Sequence, residues 1–250
     1  MWQIGHRGYP DKYGDNNMVS FLKAAEAGFD MIELDVQLCK TGEIVVFHDT
    51  WFNDKYILDT PYEDLAKYDM VLLEDVFQEF AHTRMMLFLD IKGTPDIVHP
   101  LVRLIDIWFS RGDMHRIYVS GFNRGFVADL LQYNLRINVG FTTENMFTLD
   151  QLDMLCDRMS YICLHWTALD TDVIAHLHKK GILVFAYTCK DNFILNHMLD
   201  YDLDGIVANY LVSGGPPVPP VPPAKQDAAA GKELFDVECL GNLEFEGGGE

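Results

Sequence analysis

Short apolar runs alternate with amphipathic segments along residues 1–212 of the chain. Eight runs of four to six residues are rich in Ile, Val, Leu and Phe; they cover residues 2–5, 31–36, 86–91, 117–120, 138–141, 161–164, 183–187 and 205–208. Runs of this length are too short for helices and are typical of parallel strands that are buried on both faces. We therefore predict eight buried β-strands.

The segments between these runs have the apolar spacing of amphipathic helices. The clearest six cover residues 18–27, 96–109, 124–133, 149–158, 172–180 and 192–199. Eight strand–helix units in about 210 residues favour an α/β fold of the closed (β/α)8 TIM barrel type over an open sheet. An open nucleotide-binding sheet would need a glycine-rich phosphate loop after its first strand, and the sequence contains neither GxGxxG nor a Walker motif.

The composition changes sharply after residue 212. Six of the ten prolines lie between Pro216 and Pro223, and residues 224–250 carry seven acidic residues and two lysines. A proline-rich stretch of this kind forms a stiff polyproline spacer rather than a helix or a central strand. We predict one barrel domain over residues 1–212 and a spacer with a flexible acidic tail over residues 213–250. Residues 220–225 also match a ligand of SH3-like domains, but a plain spacer is the simpler interpretation.

The charge of the chain argues against several classes of partner. With 38 acidic and 19 basic residues, the formal net charge is −19. Binding to nucleic acid or to anionic lipid needs clustered Lys and Arg, so we expect neither. We also expect no stable membrane insertion, because no apolar run reaches the roughly 18–20 residues that span a bilayer. We expect no signal peptide, because the first residues, MWQIGHRG, lack a charged start followed by an apolar stretch. The five cysteines lack metal-site or CxxC spacing, which favours reduced thiols in an intracellular, cytoplasmic protein.

Three carboxylates lie near the ends of predicted strands. Glu33 and Asp35 are two residues apart in the second strand, so they share one face, and Asp90 lies near the end of the third strand. Active sites of barrels lie at the carboxyl ends of the strands, where unpartnered carboxylates would repel one another. One divalent cation, Mg²⁺ or Ca²⁺, would relieve that repulsion. The alternative is a surface strand with two solvated acids.

Basic residues occupy the same strand ends. His6 and Arg7 follow the first strand, His48 follows a hairpin-like segment, and Lys92 shares a strand face with Asp90. Arg7 and Lys92 suit the oxygens of a phosphodiester, and the two histidines suit general acid–base catalysis. For Lys92, an ordinary ion pair with Asp90 is the open alternative. The set predicts a metal-dependent enzyme that acts on a small phosphodiester.

At this point the sequence resembles the glycerophosphodiester phosphodiesterase family over residues 3–210. The resemblance is carried by residues 6–8, 15–16, 28–36, 42–49 and 90–92, whose order and spacing are specific. It implies a (β/α)8 barrel that cleaves glycerophosphodiesters to glycerol 3-phosphate and an alcohol. It also implies that His6 and His48 are the acid–base pair and that Arg7 and Lys92 bind phosphate. The metal ligands that it implies are Glu33, Asp35 and the third-strand acid, which is Asp90 here.

Departures from the family concern the substrate more than the catalytic centre. Tyr187 stands where the family has a Trp near the substrate, so we predict that it lines the pocket. His165, at the end of the sixth run, lines the pocket or packs beside it. The insertion between His48 and Asp90 is short, with helices predicted over residues 62–68 and 73–80, and this leaves the mouth open.

An open mouth would also admit lysophospholipids. A lysophospholipase D-like or sphingomyelinase D-like activity, through a cyclic phosphate, is therefore the alternative function, and an apolar wall formed by Trp51, Phe52 and Trp166 would favour it. A scaffold protein that acts through its proline-rich tail is the third alternative. The catalytic residues argue against a scaffold, because a scaffold has no need of them.

Overall fold

The computed structural model describes residues 1–133 and 136–212. Eight parallel strands form the barrel: β1 (Trp2–Gly5), β2 (Met31–Leu38), β3 (Met86–Ile91), β4 (Ile117–Gly121), β5 (Asn138–Thr143), β6 (Tyr161–His165), β7 (Leu183–Cys189) and β8 (Gly205–Ala208). Each strand pairs with the next, and β1 pairs with both β8 and β2, which closes the sheet. The predicted (β/α)8 barrel is confirmed. The predicted spacer and tail, 213–250, and the SH3-like match at 220–225 lie outside the described residues, so the proposed domain division stays a prediction.

Helices surround the barrel. The α-helices in the described ranges are α1 (Pro10–Tyr13), α2 (Met18–Ala27), α3 (Tyr62–Leu65), α4 (Leu73–Phe80), α5 (Val98–Trp108), α6 (Arg124–Leu130), α7 (Leu149–Leu155), α8 (Thr171–Lys179) and α9 (Asn192–Met198). Short 3-10 helices cover Ala66–Tyr68, Pro95–Ile97, Met114–Arg116 and Trp166–Ala168. Asn17, Thr148, Asp170 and Asp191 each accept a backbone N–H of the helix that follows, which fixes where these helices begin. Across the described ranges, no helix has both the length and the apolar character needed to cross a bilayer.

Aromatic side chains fill the inside of the barrel. Trp2, Phe88, Tyr118, Tyr161 and Phe185 are buried there, with ring centroids 5.1 to 6.3 Å apart in tilted or edge-to-face contacts. A larger apolar layer packs the helices against the outer face of the sheet. The polar groups at the carboxyl ends of the strands therefore rest on an apolar floor that keeps water away from them.

The insertion after β2 forms a small subdomain beside the barrel mouth. Strand β2 pairs with the antiparallel strand Ile44–Val46, and residues Trp51–Phe52 pair with Lys55–Tyr56 in a second hairpin. A separate apolar cluster, which includes Val45, Ile57 and Leu65, anchors the insertion. The helix predicted over residues 73–80 is α4, and the segment 62–68 divides into α3 and a 3-10 turn.

Candidate active site

A cavity of about 140 Å³ opens at the carboxyl ends of the barrel strands. Its lining includes His6, Arg7, Glu33, Asp35, His48, Asp90, Lys92, Phe122, Thr142, Cys163, Tyr187, Thr188 and Lys190. Eight of the nine site residues predicted from the sequence therefore share one cavity. The remaining one, His165, is not part of the lining: its ring lies 5.3 Å from that of Tyr187, and its Nδ1 lies 2.7 Å from the Thr167 hydroxyl. The packing interpretation of His165 matches this position.

Three carboxylates form a buried acidic cluster, Glu33–Asp35–Asp90. One oxygen from each lies within 4.8 Å of the others, and Asp35 is directly opposite Asp90 in the pairing of β2 with β3. Burial, followed by repulsion from Asp35 and Asp90, raises the pKa of Glu33 well above its usual range. Burial also raises the pKa of Asp90, to about 6. Adding negative charge to this cluster is therefore costly.

Two cations keep Asp35 ionised. The Lys92 ammonium lies 3.2 Å from Oδ1 of Asp35, and the Arg7 guanidinium lies 3.1 Å from Oδ2. Asn16 adds a hydrogen bond of 2.8 Å from its amide nitrogen to Oδ2. Burial acts to raise the pKa of Asp35, but Lys92 and Arg7 outweigh it and hold that pKa below its ordinary value. Asp35 is thus a permanent anion at the centre of the cluster.

Lys92 bridges two of the carboxylates. Its Nζ atom lies 2.6 Å from Oδ2 of Asp90 as well as 3.2 Å from Asp35. Burial acts to lower the pKa of Lys92, but the two carboxylates raise it above its ordinary value, so Lys92 is charged. An ammonium has three N–H donors, and these contacts use two of them. The ion pair expected as an alternative therefore leaves one donor for a substrate oxygen.

The acidic cluster is suited to a divalent metal. The Oδ1 atom of Asp90 is buried and has no hydrogen-bond partner in the structure, so a lone pair remains available there. Carboxylate oxygens are the ligands that Mg²⁺ and Ca²⁺ prefer. Burial raises the pKa values of Glu33 and Asp90, and a bound dication would favour their ionised forms.

The turn after β1 positions the first histidine and arginine. Arg7 has φ +55°, and its backbone N–H donates to Glu33 Oε2 at 2.8 Å. Gly8 follows with φ +98°, and a Cβ there would lie 2.5 Å from the Ser20 hydroxyl. Only glycine fits this position without displacing Ser20. The guanidinium of Arg7 also binds Asp15 at 2.8 Å, which fixes the side chain at the edge of the cavity.

His6 is buried and has a neutral partner. The amide oxygen of Asn209 lies 2.8 Å from Nδ1 of His6, so Nδ1 carries the proton and Nε2 is left with a lone pair. Burial and the nearby Arg7 charge lower the pKa of His6 to about 4. The imidazole is therefore neutral at physiological pH and is able to accept a proton.

His48 has a charged partner and is more accessible. Its Nδ1 atom lies 2.7 Å from Oδ1 of Asp49, and 44% of its side chain is exposed. The side-chain amide of Gln37 donates to the backbone oxygens of Phe47 and Asp49 at 2.7 and 2.9 Å, which clamps the segment that carries His48. The Asp49 carboxylate accepts the Nδ1–H, which leaves Nε2 to exchange a proton with substrate.

Several residues of the site were not predicted from the sequence. Asn16 and Asn209 hydrogen-bond Asp35 and His6, and Gln37 hydrogen-bonds the backbone on either side of His48. The cavity lining is completed by Phe122, Thr188 and Lys190. Asn209 directly follows the last apolar run, a position that was a usable signal. Asn16 lies within the motif at residues 15–16 that carries the family resemblance, whereas Gln37 has no such signal, because a neutral amide is common in strands and loops.

The wider comparisons agree with this geometry. A family model described as the glycerophosphoryl diester phosphodiesterase family matches residues 6–212. A glycerophosphodiester phosphodiesterase of Bacillus altitudinis is 26% identical over 234 residues, which cover 83% of this chain and 94% of that protein. One of Caldanaerobacter subterraneus is 24% identical over 230 residues, with 82% and 93% coverage.

Two solved structures share the fold. A phosphodiesterase of Oleispira antarctica in complex with the product sn-glycerol-3-phosphate has a TM-score of 0.75 at 20% identity, covering 84% of this chain and 93% of its own. A putative glycerophosphodiester phosphodiesterase of Galdieria sulphuraria has a TM-score of 0.74 at 22% identity, with 84% and 94% coverage. The family model spans nearly all of the barrel, from His6 through the last strand. The chain belongs to the glycerophosphoryl diester phosphodiesterase family.

Proposed function

We propose that this enzyme hydrolyses glycerophosphodiesters to glycerol 3-phosphate and an alcohol, with one divalent cation, Mg²⁺ or Ca²⁺, held by Glu33, Asp35 and Asp90. The observation that carries the proposal is the buried acidic cluster, which lies in one cavity with His6 and His48. The family match and the product bound to the Oleispira antarctica enzyme support the choice of substrate. When bound, the cation supplies positive charge that polarises a phosphoryl oxygen.

Two basic side chains bind the phosphodiester. Lys92 offers the donor that Asp35 and Asp90 leave unused. Arg7 contacts carboxylates through Nη1 and Nε, which leaves Nη2 for a non-bridging phosphate oxygen. Because both cations are already fixed by carboxylates, they meet the substrate with little reorganisation, which favours stabilisation of the transition state.

The two histidines divide the proton transfer. The attacking oxygen, from water or from the neighbouring glycerol hydroxyl, loses its proton to the free Nε2 of His6 as it bonds to phosphorus. The bond from phosphorus to the leaving alcohol oxygen breaks, and His48 supplies the proton to that oxygen. His6 suits the acceptor role because Asn209 and burial keep it neutral, and His48 suits the donor role because Asp49 accepts its Nδ1–H.

The cavity lining does not favour acylated substrates. Trp51, Phe52 and Trp166, the residues that would form an apolar wall for an acyl chain, are not among the lining residues. Trp51 instead packs on Tyr56 within its own hairpin, with ring centroids 4.6 Å apart. The deacylated glycerophosphodiester is therefore the substrate that this cavity supports best.

A metal-by-substrate panel tests the proposal. Release of glycerol 3-phosphate is measured from glycerophosphocholine, glycerophosphoethanolamine and glycerophosphoglycerol, with Mg²⁺, Ca²⁺ or a chelator, and lysophosphatidylcholine serves as the acylated comparison. We expect turnover that the chelator abolishes. Phosphorus NMR identifies a cyclic phosphate if the glycerol hydroxyl attacks first. Failure to cleave any of the deacylated diesters with either metal would overturn the proposal, and a strong preference for lysophosphatidylcholine would replace it with the alternative.

A further inference from the structure

Three lysine or arginine side chains line the cavity, and they differ in how they are bound. Arg7 and Lys92 are each paired with two carboxylates. Lys190 is exposed and forms no ion pair with any residue in the described ranges. A buried and paired cation helps to build a site, whereas an unpaired cation on a cavity wall has its charge available to a ligand.

Lys190 faces the acidic cluster from across the barrel mouth. It directly follows β7, whereas Asp35 and Asp90 belong to β2 and β3. In the closed order β1-β2-β3-β4-β5-β6-β7-β8, strand β7 is three strands from β2 and four from β3. A phosphodiester whose phosphate lies at the cluster must extend one of its two ester arms away from that cluster, and Lys190 lies on the opposite wall.

A second donor belongs to the same strand, β7. Tyr187 lines the same cavity, and its buried hydroxyl has no hydrogen-bond partner in the described ranges. Burial raises the pKa of Tyr187, so the phenol remains protonated and donates a hydrogen bond. A buried hydroxyl without a partner is unfavourable, and a ligand oxygen would satisfy it.

Carboxylates share this region, and one of them, Asp191, directly follows Lys190 in the sequence. Glu144 and Lys190 act on the pKa of His165 in opposite directions, so both charges lie near that imidazole. The two side chains do not form an ion pair, since no carboxylate in the described ranges lies within 4.0 Å of the Lys190 ammonium. Glu144 therefore weakens the local positive potential but forms no ion pair with Lys190.

We propose that Lys190 and the hydroxyl of Tyr187 form a second anion subsite, which selects glycerophosphodiesters whose alcohol itself carries a carboxylate or a phosphate. This inference rests on the proposed function and specifies its substrate class. The overall charge of −19 disfavours anionic ligands at long range, so a substrate with two negative groups needs a local cation for each of them. The cluster, Arg7 and Lys92 meet the first group, and Lys190 meets the second.

Matched pairs of substrates test the subsite. Glycerophosphoserine differs from glycerophosphoethanolamine by one carboxylate. Glycerophosphoglycerol phosphate, whose alcohol glycerol carries an additional phosphate, differs from glycerophosphoglycerol by that phosphate. For wild-type enzyme we expect kcat/KM to be about tenfold higher for the anionic member of at least one pair, and the pair that shows it identifies the carboxylate or the phosphate. Because Lys190 is exposed, we expect 0.5 M salt to reduce the preference.

Substitutions assign the preference to this wall. In Lys190→Met the preference should fall to about onefold while kcat/KM for the neutral substrates changes less than about threefold. Tyr187→Phe should lower the preference by a smaller factor. Lys179→Met is the matched control, because Lys179 is an exposed lysine at the end of α8, on the opposite face of the barrel. This control should keep the wild-type preference.

Binding provides a readout that does not depend on turnover. Calorimetry of the serine and ethanolamine diesters with His48→Ala and with the His48→Ala/Lys190→Met double variant should show tighter serine binding that the second substitution removes. Equal binding of the two diesters, or an equal loss for both in the Lys190 variant, would overturn the subsite. If wild-type enzyme binds the serine diester selectively but hydrolyses no diester, the proposed reaction fails and the subsite stands.

Discussion

The two walls of the cavity are built in opposite ways. On the side of β1, β2 and β3, the charged side chains form a connected network, in which Asp35 alone contacts Arg7, Lys92 and Asn16. On the side of β7, the Lys190 ammonium has no ion-pair partner and the Tyr187 hydroxyl has no hydrogen bond in the described ranges. The first wall is therefore positioned before substrate arrives, which suits groups that must act on the reacting phosphate. The second wall keeps its ammonium and hydroxyl groups available for the alcohol part of the substrate, which differs between glycerophosphodiesters.

The largest effect should follow loss of a proton-transfer group on the side of β1, β2 and β3. We expect His48→Ala to lower kcat by about 10²–10⁴-fold, because it removes the donor to the leaving alcohol. The half-exposed side chain contributes little to packing, so the fold should persist. The measurement is glycerol 3-phosphate release, with His82→Ala, a change of an exposed imidazole, as the control. A residual rate within tenfold of wild type would show that another group donates the proton.

The next largest effect concerns the acidic cluster. Glu33→Gln should lower kcat/KM about 100-fold or more, since even outer-shell changes at metal sites cost 10–100-fold. The amide oxygen can still accept the Arg7 N–H, so the turn after β1 is kept. In metal-free protein the change should raise the melting temperature, because it removes a buried carboxyl whose ionisation is unfavourable. The exposed Glu74→Gln serves as a control, and a large loss of stability in metal-free Glu33→Gln would contradict this account.

The pH dependence of stability gives a third test of the same wall. Asp90 has a folded pKa of about 6 against an ordinary value of 3.8. A carboxyl with a raised pKa contributes stability that is fully present below the ordinary value and is lost as the pH rises through about 6. In metal-free protein, the stability of Asp90→Asn relative to wild type should therefore increase between pH 4.5 and 7.5, by on the order of 1–3 kcal/mol.

Denaturant unfolding of both proteins in a chelator measures this difference. His6 makes the opposite contribution: because its pKa is lowered, the stability that it provides is lost as the pH falls through about 4. Wild type and variant share this contribution, so it cancels in the comparison. Addition of Mg²⁺ or Ca²⁺ at pH 7.5 should stabilise wild type more than the variant. If the relative stability did not change with pH, the pKa of Asp90 would not be raised in the folded state.

A smaller effect should come from the support of His6. Asn209→Ala leaves Nδ1 of His6 without its acceptor, and we expect a fall in kcat of about tenfold. The acidic limb of the pH profile of kcat/KM should move, which a loss of packing alone would not cause. Asn209→Asp restores an acceptor oxygen and should recover much of the rate. An unchanged profile in the alanine variant would argue that Asn209 does not orient the imidazole.

The smallest effect should come from His165, which lies behind Tyr187 on the β7 side of the cavity. Its ring packs on Tyr187 and Trp166 and does not line the cavity. We expect His165→Ala to change kcat/KM by less than about threefold for every diester in the panel. A larger or substrate-selective change would show that His165 takes part in substrate selection together with the β7 side of the cavity.

The barrel could be predicted from the sequence because its strands are buried on both faces. All eight strands were found, but five of them end later than predicted: β2 reaches Leu38, β4 reaches Gly121, β5 reaches Thr143, β6 reaches His165 and β7 reaches Cys189. The apolar pattern stops early where strands enter the polar mouth, since Gln37 and Thr188 are buried there although they are polar. The hairpin of Trp51–Phe52 with Lys55–Tyr56 was missed, because its exposed residues leave no alternation of buried and exposed positions.

The charged residues of the site could be predicted, whereas their neutral supports could not. A carboxylate or a cation inside an apolar run is unusual enough to be noticed, and this was sufficient for Glu33, Asp35 and Asp90. Asn16 meets Asp35 across 19 residues of sequence, and Asn209 meets His6 across 203 residues. Contacts of this kind depend on which distant segments meet in the closed barrel, so the partner of each amide could not be predicted from a local pattern.

The bond between His6 and Asn209 also bears on how the enzyme is made. The proposed catalytic imidazole follows the first strand of the barrel, and its partner, 203 residues later in the sequence, follows the last strand. The backbone N–H of His6 likewise bonds the carbonyl of Ala208, the final residue of β8. During synthesis, the three proposed metal ligands are all present once residue 90 has been added, long before Asn209 can hold His6 in place. Catalytic competence should appear only when synthesis has passed residue 209, which makes activity a measure of barrel closure.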